Sequence, residues 1–252
     1  MHTHTIVGER AWGQTQEEEK LVSYPELMLK ISQEAVVATS STGQVDGKIV
    51  IGANESFSVA RLPHIIKHFR AHYPDVSISL KFDSVSNVHT QIQNNVIDIA
   101  FFLTRKLAWP DVIVETLLQE TIIVIASPEH PFRKRESIGF TDLAGEDLII
   151  THEGCTYRSL VDSTLDEHKI IPRSLIEVNS AHTIKQLVMN GLGIALVPQI
   201  AADAELSQGL LVGLPFVGPE MPVFTQIAYH KDKWISPTLL SFLKCARKIC
   251  CH

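Results

Sequence analysis

Cysteine, histidine and carboxylate side chains offer the most chemistry in this chain, and their spacing narrows what that chemistry can be. Cys155 stands in Gly154-Cys155-Thr156-Tyr157-Arg158, where a strand is expected to turn into a helix. A thiol at a helix N-terminus has a lowered pKa and could sense oxidants. No resolving cysteine lies nearby in sequence, which favours the plainer reading of a small pocket-lining residue. Cys245, Cys250 and Cys251 crowd the C-terminus and form neither a disulfide framework nor a paired CxxC zinc set, so they read as reduced thiols. His64, His68 and His72 are four apart and stack along one helix face, a spacing that suits a metal. That face lies away from the Leu62, Ile65, Ile66, Phe69 stripe, so a solvated face is expected and no metal site. Cys250-Cys251-His252 reads as a frayed end. The chain has no GxSxG elbow, HExxH, GxxxxGK[ST] or strand-following GxGxxG. Asp83 and Asp98 are isolated carboxylates. Asp98 falls inside an apolar run, where hydrogen bonding to its surroundings is the expected role. No catalytic residue, cofactor or enzymatic activity is expected.

The 252 residues are 45% hydrophobic and 20% charged, with a formal net charge of −6. A domain that grips nucleic acid through phosphates is usually basic, so this chain is a poor candidate for direct DNA contact. The N-terminus lacks the apolar core of a secretion signal, and no 18-residue apolar run occurs. A soluble, cytoplasmic protein without a membrane partner is expected.

The elements that must position these residues are legible in the hydrophobic pattern. Lys48 to Thr104 reads strand, helix, strand, helix, strand. KIVIGA is an apolar strand; Leu62 to Tyr73 carries a helical stripe that Pro74 ends; Val76, Ile78, Leu80 and Phe82 alternate as a half-buried strand does. Val85, Val88 and Ile92 mark a second helix, and VIDIAFFLT a nearly continuous apolar strand. Strands joined by helices make a parallel sheet covered on both faces, with ligands at the carboxyl ends. Further strands are expected at Asp111–Leu118, Thr121–Ser127, Leu148–Thr151, Leu175–Val178, Gly193–Val197 (stopped by Pro198) and Val223–Tyr229. Helices are expected up to about His168, around Ile184 to Val188 with Gly191 as a left-handed cap, over Ile200–Leu206, and after Ser236-Pro237. Ahead of all this, Gln16 to Ala35 carries a loose apolar stripe with a capping box at Thr15 and Glu18, followed by a polar linker to Gly47. An amphipathic helix separated from its body by a linker should pair with another copy or element.

Several runs in order resemble one family. GKIVIGA, LPHIIKHFRAHYPDVSISL, IQNNVIDIAFF, SPEHPF, DLAGEDLI, GCTYR and IKQLVMNGLGIALVP together look like the effector-binding region of LysR-type transcriptional regulators, over about residues 15 to 248. The resemblance implies an α/β fold of two Rossmann-like lobes of the periplasmic-binding-protein type (type 2), joined by two crossover strands and preceded by an amphipathic linker helix. Residues 15–38 resemble that helix and 5–10 the end of a wing; the recognition helix of the DNA-binding head is not found in the sequence. The expected division is residues 1–47 as remnant of wing, linker helix and linker, 48–122 with 228–252 as lobe I, and 123–227 as lobe II.

The cleft between such lobes is lined by strand ends and helix starts. Here these are Asn54 to Ser58, with Ser56, Phe57 and Ser58; Thr104; Thr151 to Arg158, with Gly154, Cys155 and Arg158; Ser180; and Pro198. Hydroxyls and free amides at helix starts favour anions, and Arg158 adds a guanidinium suited to carboxylates. Ser56, Ser58 and Ser180 can equally be plain N-caps. The expected function is effector sensing for a transcription regulator. A small polar or anionic metabolite (organic acid, amino acid or oxyanion) binds, and lobe closure is transmitted through a homodimer or homotetramer to promoter DNA by the head. The alternative is a transporter's solute-binding protein on the same fold.

Overall fold

A computed structural model of the chain describes Ser32 and residues 45–151, 156–218 and 220–250. The chain divides into two compact units, residues 1–42 and 43–252. Of the first unit only Ser32, which is helical, is described. The expected wing remnant, linker helix and most of the polar linker therefore lie outside the described residues, as do His152 to Cys155.

In the second unit β1 (Lys48–Ala53) leads to α1 (Glu55–Ala60) and α2 (Leu62–His72), then β2 (Ser77–Phe82), α3 (Val85–Gln93), β3 (Ile99–Thr104) and β4 (Val112–Glu120). Next come β5 (Ile122–Ala126), β6 (Ile138–Gly139), β7 (Asp147–Thr151), α4 (Thr156–Glu167), β8 (Ser174–Val178), α5 (Ala181–Met189) and β9 (Ala195–Pro198). A 3-10 turn at Gln199–Ala201, α6 (Asp203–Ser207), β10 (Val212–Val217), β11 (Val223–His230) and α7 (Pro237–Cys250) complete the order.

Five strands form the first sheet in the order β2-β1-β3-β11-β4. β1 runs parallel to β2 and β3, as the strand–helix–strand pattern requires, whereas β11 is antiparallel to both β3 and β4. The second layer has β6-β10-β5-β9, with β5 antiparallel to β9 and β10, and a parallel β7-β8 pair. Bonds from Ile149 N to Ile194 O (2.8 Å) and from Ile194 N to Asp147 O (2.9 Å) fasten that pair to the chain entering β9. Only Thr121 separates β4 in the first sheet from β5 in the second, and the chain returns from β10 to β11. Two lobes joined by two crossovers result.

Each lobe buries an apolar layer. α2 and α7 cover one face of the first sheet, where the Phe69 and Phe242 rings meet edge to face at 4.9 Å and Phe57 stacks on Phe101 at 4.9 Å. α3 covers the other face through Val88 and Ile92, against Ile97, Ala100 and Phe102. A Cβ at Gly52 would stand 2.5 Å from Ile97 Cδ1 and 3.2 Å from Val88 Cγ1, so glycine lets this apolar layer close on the strand without displacing them. Ile184 and Val188 of α5 pack onto Ile123, Ile125, Ala195 and Val197 in the second lobe. The expected helix ends hold. Gly191 has φ +73, its N–H bonds to Val188 O and the Leu192 N–H to Leu187 O, a Schellman closure. Ser236 Oγ accepts from Leu239 N at 3.1 Å, capping α7.

Three expectations are corrected. The alternation in β2 predicts a half-buried strand, but β2 is an edge strand with Leu80 40% and Phe82 57% exposed. Nothing among the described residues covers these side chains. The single helix expected over Ile200–Leu206 is a 3-10 turn and a separate short helix, broken at Ala202. β10 has no counterpart among the expected strands, because Gly213 and Pro215 interrupt its apolar run; Pro215 is tolerated near the end of its pairing with β5.

Candidate functional site

The turn after β1 is built by Asn54. Its Nδ2 donates to Leu103 O at 3.0 Å and its Oδ1 accepts from Leu103 N at 3.1 Å, a fork that fixes the ends of β1 and β3 side by side. Gln226, fully buried in β11, does the same on the other side of β3. Its Nε2 donates to Arg105 O at 2.9 Å and its Oε1 accepts from Leu107 N at 2.9 Å. The carboxyl end of β3 is thus held by two amide side chains. Thr104, its last residue, is 1% exposed, and its hydroxyl finds no hydrogen-bond partner among the described residues. The Thr151 hydroxyl, at the carboxyl end of β7 in the other lobe, is likewise buried and unpartnered. Burying a hydroxyl without a partner costs free energy, so such atoms mark places where another group belongs.

The structure sorts the remaining candidates. Ser56 is half-buried at the start of α1. The Phe57 ring is fully buried against Phe101, so its side chain belongs to the core. The Ser58 hydroxyl donates to Asn54 O at 2.8 Å and is spent within α1. Ser180 is the N-cap of α5, accepting from Thr183 N at 3.3 Å. Pro198 ends β9, buried, and opens the 3-10 turn. Gly154 and Cys155 lie outside the described residues.

Arg158 differs most from its expected role. Its Nε donates to Asp162 Oδ1 and Oδ2 at 2.7 and 2.6 Å, and its Nη1 to Thr151 O at 2.7 Å and Glu177 Oε2 at 3.0 Å. Burial pulls its pKa down, but the bonds to Asp162 and Glu177 outweigh this and leave it raised. Two carboxylates already answer the guanidinium, which ties α4 to β7 and β8 and is no longer a spare charge for a ligand.

Other polar contacts were not anticipated from the sequence. Glu120, with a side chain 5% exposed, accepts from Arg61 Nε at 3.1 Å, from Arg61 Nη2 at 2.9 Å and from the Thr225 hydroxyl. This buried cluster sits where β4 leaves the first lobe and β11 re-enters it. Lys185 of α5 is buried and pairs with Glu205 at 2.7 Å. Polar residues inside apolar runs, such as Gln226 in VFTQIAYH, were the available clue, since a buried amide needs partners. Asp98 fulfils its expected role, accepting from Val50 N at 2.7 Å and pairing with Lys233 at 2.9 Å. His64, His68 and His72 are exposed along α2, with His72 Nδ1 3.0 Å from His68 O. A shallow depression of about 440 Å³, lined by Leu107, Trp109, Pro110 and Val112, includes none of the expected site residues.

The family profile "LysR substrate binding domain" matches residues 42–250. The chain belongs to the LysR family of transcription regulators. It is 36% identical over 227 residues to the uncharacterized HTH-type transcriptional regulator YwqM of Bacillus subtilis (strain 168), covering 90% of this chain and 77% of that protein. Among solved structures, the effector-binding domain of QuiR in complex with shikimate superposes with a TM-score of 0.68 at 23% identity, covering 81% of this chain and 96% of that one. The regulatory domain of CcmR from Synechocystis PCC6803, in complex with 2-PG, gives 0.71 at 23% identity, covering 81% and 97%. These likenesses bear out the LysR fold of two lobes. Residues 42–250 are therefore a LysR effector-binding domain, and the strand ends fixed by Asn54 and Gln226 belong to it. The matched family and relatives are regulators, not enzymes or transporter components. Among the described residues no helix is long and apolar enough to cross a membrane.

Proposed function

We propose that this LysR domain binds a small polar or anionic metabolite between its lobes and that the resulting closure is passed to promoter DNA through the DNA-binding head of the regulator. The observation that carries the reading is the pair of buried hydroxyls, Thr104 and Thr151, unpartnered among the described residues, each at the carboxyl end of a parallel strand and each in a different lobe. A ligand that bonds to both lowers the free energy of the closed arrangement and of no other, which is what a population shift requires. The expected division is 48–122 with 228–252 against 123–227; we propose boundaries at Thr121 and Val223 instead, since β5 of the second lobe begins at Ile122 and β11 of the first sheet begins at Val223. Hydroxylated organic acids fit these hydroxyls, which can donate to a carboxylate or accept from an alcohol. The shikimate held by QuiR and the 2-PG held by CcmR belong to those proteins and are starting points for a panel.

A homodimer is part of the proposal. Leu80 and Phe82 on the edge strand β2 and Leu175, 50% exposed on the edge strand β8, leave apolar surface for a second copy. The test is a thermal-shift panel of organic acids, amino acids and oxyanions. A compound that raises the midpoint of the wild type and fails to do so with Thr104→Val or Thr151→Val supports the site. A panel without effect, or one whose hits ignore both substitutions, sinks it.

A further inference from the structure

One contact spans the lobes away from the crossovers. Glu55 is the first residue of α1, in the first lobe. Its Oε1 accepts from the Ser180 hydroxyl at 2.8 Å and its Oε2 from Ala181 N at 3.1 Å. Ser180 and Ala181 begin α5 in the second lobe, 125 and 126 residues further along the chain. The Ser180 hydroxyl meanwhile accepts from Thr183 N, so the cap of α5 is complete with Glu55 in place. α1 also lies alongside the 3-10 turn Gln199–Ala201 of the second lobe, which brings the two helix starts together.

A carboxylate that takes one hydroxyl and one free amide at the positive end of a nine-residue helix makes the contacts a carboxylate ligand would make there. We propose that Glu55 is a tethered anion that fills the carboxylate subsite at the start of α5, setting which effectors the cleft accepts and holding the lobes together when none is bound. The inference rests on the reading that the effector enters between the lobes. It deepens that reading: an effector's carboxylate reaches α5 only by displacing Glu55, whereas groups that seek Thr104 and Thr151 meet no such competitor. Arg158, already held by Asp162 and Glu177, offers no second anion position of comparable strength.

The full chain carrying Glu55→Ala tests this, with acetate as the detached equivalent of the missing side chain. In acetate-free buffer the variant should scatter X-rays as a more open particle than the wild type. Acetate should return it to the wild-type profile and raise its thermal midpoint, while sodium chloride at the same ionic strength should not. The wild type should ignore acetate beyond the chloride effect. Glu55→Asp, which keeps the charge but loses one methylene of reach, should behave as Glu55→Ala, and it serves alone if the alanine variant does not fold. A variant that scatters as the wild type, or a wild type that responds to acetate as strongly as the variant, overturns the proposal. The two readings fail separately. Loss of ligand response in Thr104→Val with no acetate effect in Glu55→Ala removes the tethered anion and leaves the effector site. Acetate rescue with ligand responses indifferent to Thr104→Val and Thr151→Val does the reverse.

Discussion

At the scale of single residues, the buried Thr104 and Thr151 hydroxyls find no hydrogen-bond partner among the described residues. Replacing either hydroxyl by the isosteric methyl of valine removes a buried unpartnered group without changing volume. Each substitution should therefore leave the ligand-free protein as stable or more stable, by up to about 1 kcal/mol, while weakening effector binding by about 1–3 kcal/mol. Opposite signs in the two measurements, unfolding midpoint and ligand titration, separate this site from an ordinary core threonine, whose loss moves stability alone. Arg158 shows the converse case. Its residue type in GCTYR invited an anion-binding role, but its charge is already matched by neighbours that are four residues along the same helix and on an adjacent strand.

At the scale of elements, one polar cluster joins the two crossovers. Arg61, between α1 and α2, reaches Glu120 at the end of β4, and Thr225 of β11 joins them, so both crossovers meet on one buried carboxylate. Arg61→Met would leave that carboxylate buried without its cation and should cost about 3 kcal/mol, read by chemical denaturation; replacing both partners together should cost less than the sum. Gly193 stands where β7 meets the approach to β9, at φ +154, with a Cβ there only 2.4 Å from Asp147 O. Gly193→Ala should cost about 3 kcal/mol, because neither the backbone nor the strand can give way. At the start of β7 and β8, Arg173 and Ser174 hold the Asp147 carboxyl far below its ordinary 3.8, and the Gly139 N–H and then Arg135 hold Asp142 below it. A lowered folded pKa means stability that is full above 3.8 and is lost as pH falls through and beneath it. The thermal midpoint should thus fall as pH is lowered through that range, and less steeply in Asp147→Asn.

For the whole molecule, the proposed association of copies rests on the exposed edge of β2. Phe82→Glu should shift the particle mass in light scattering toward the monomer while leaving the unfolding midpoint nearly unchanged, since Phe82 is 57% exposed within the chain. A mass unaffected by the substitution would place the association of copies elsewhere.

Fold class and the family were legible in the sequence because they depend on local pattern: period-two and period-3.6 apolar spacing, proline and glycine stops, and an ordered set of short runs. Ser180 as a helix cap, Gly191 as a left-handed cap and Asp98 as a hydrogen-bonding carboxylate were readable for the same reason. Only the tertiary structure decided which polar groups meet across long separations. Glu55 finds Ser180, Arg61 finds Glu120, Gln226 finds Arg105 and Leu107, and Arg158 finds Glu177. Such pairings leave no periodic trace, because a hydrogen bond depends on where two strands end in space and not on the residues beside them. For the same reason the antiparallel β11, the exposed face of β2 and the buried hydroxyls of Thr104 and Thr151, unpartnered among the described residues, became visible only once the lobes were assembled.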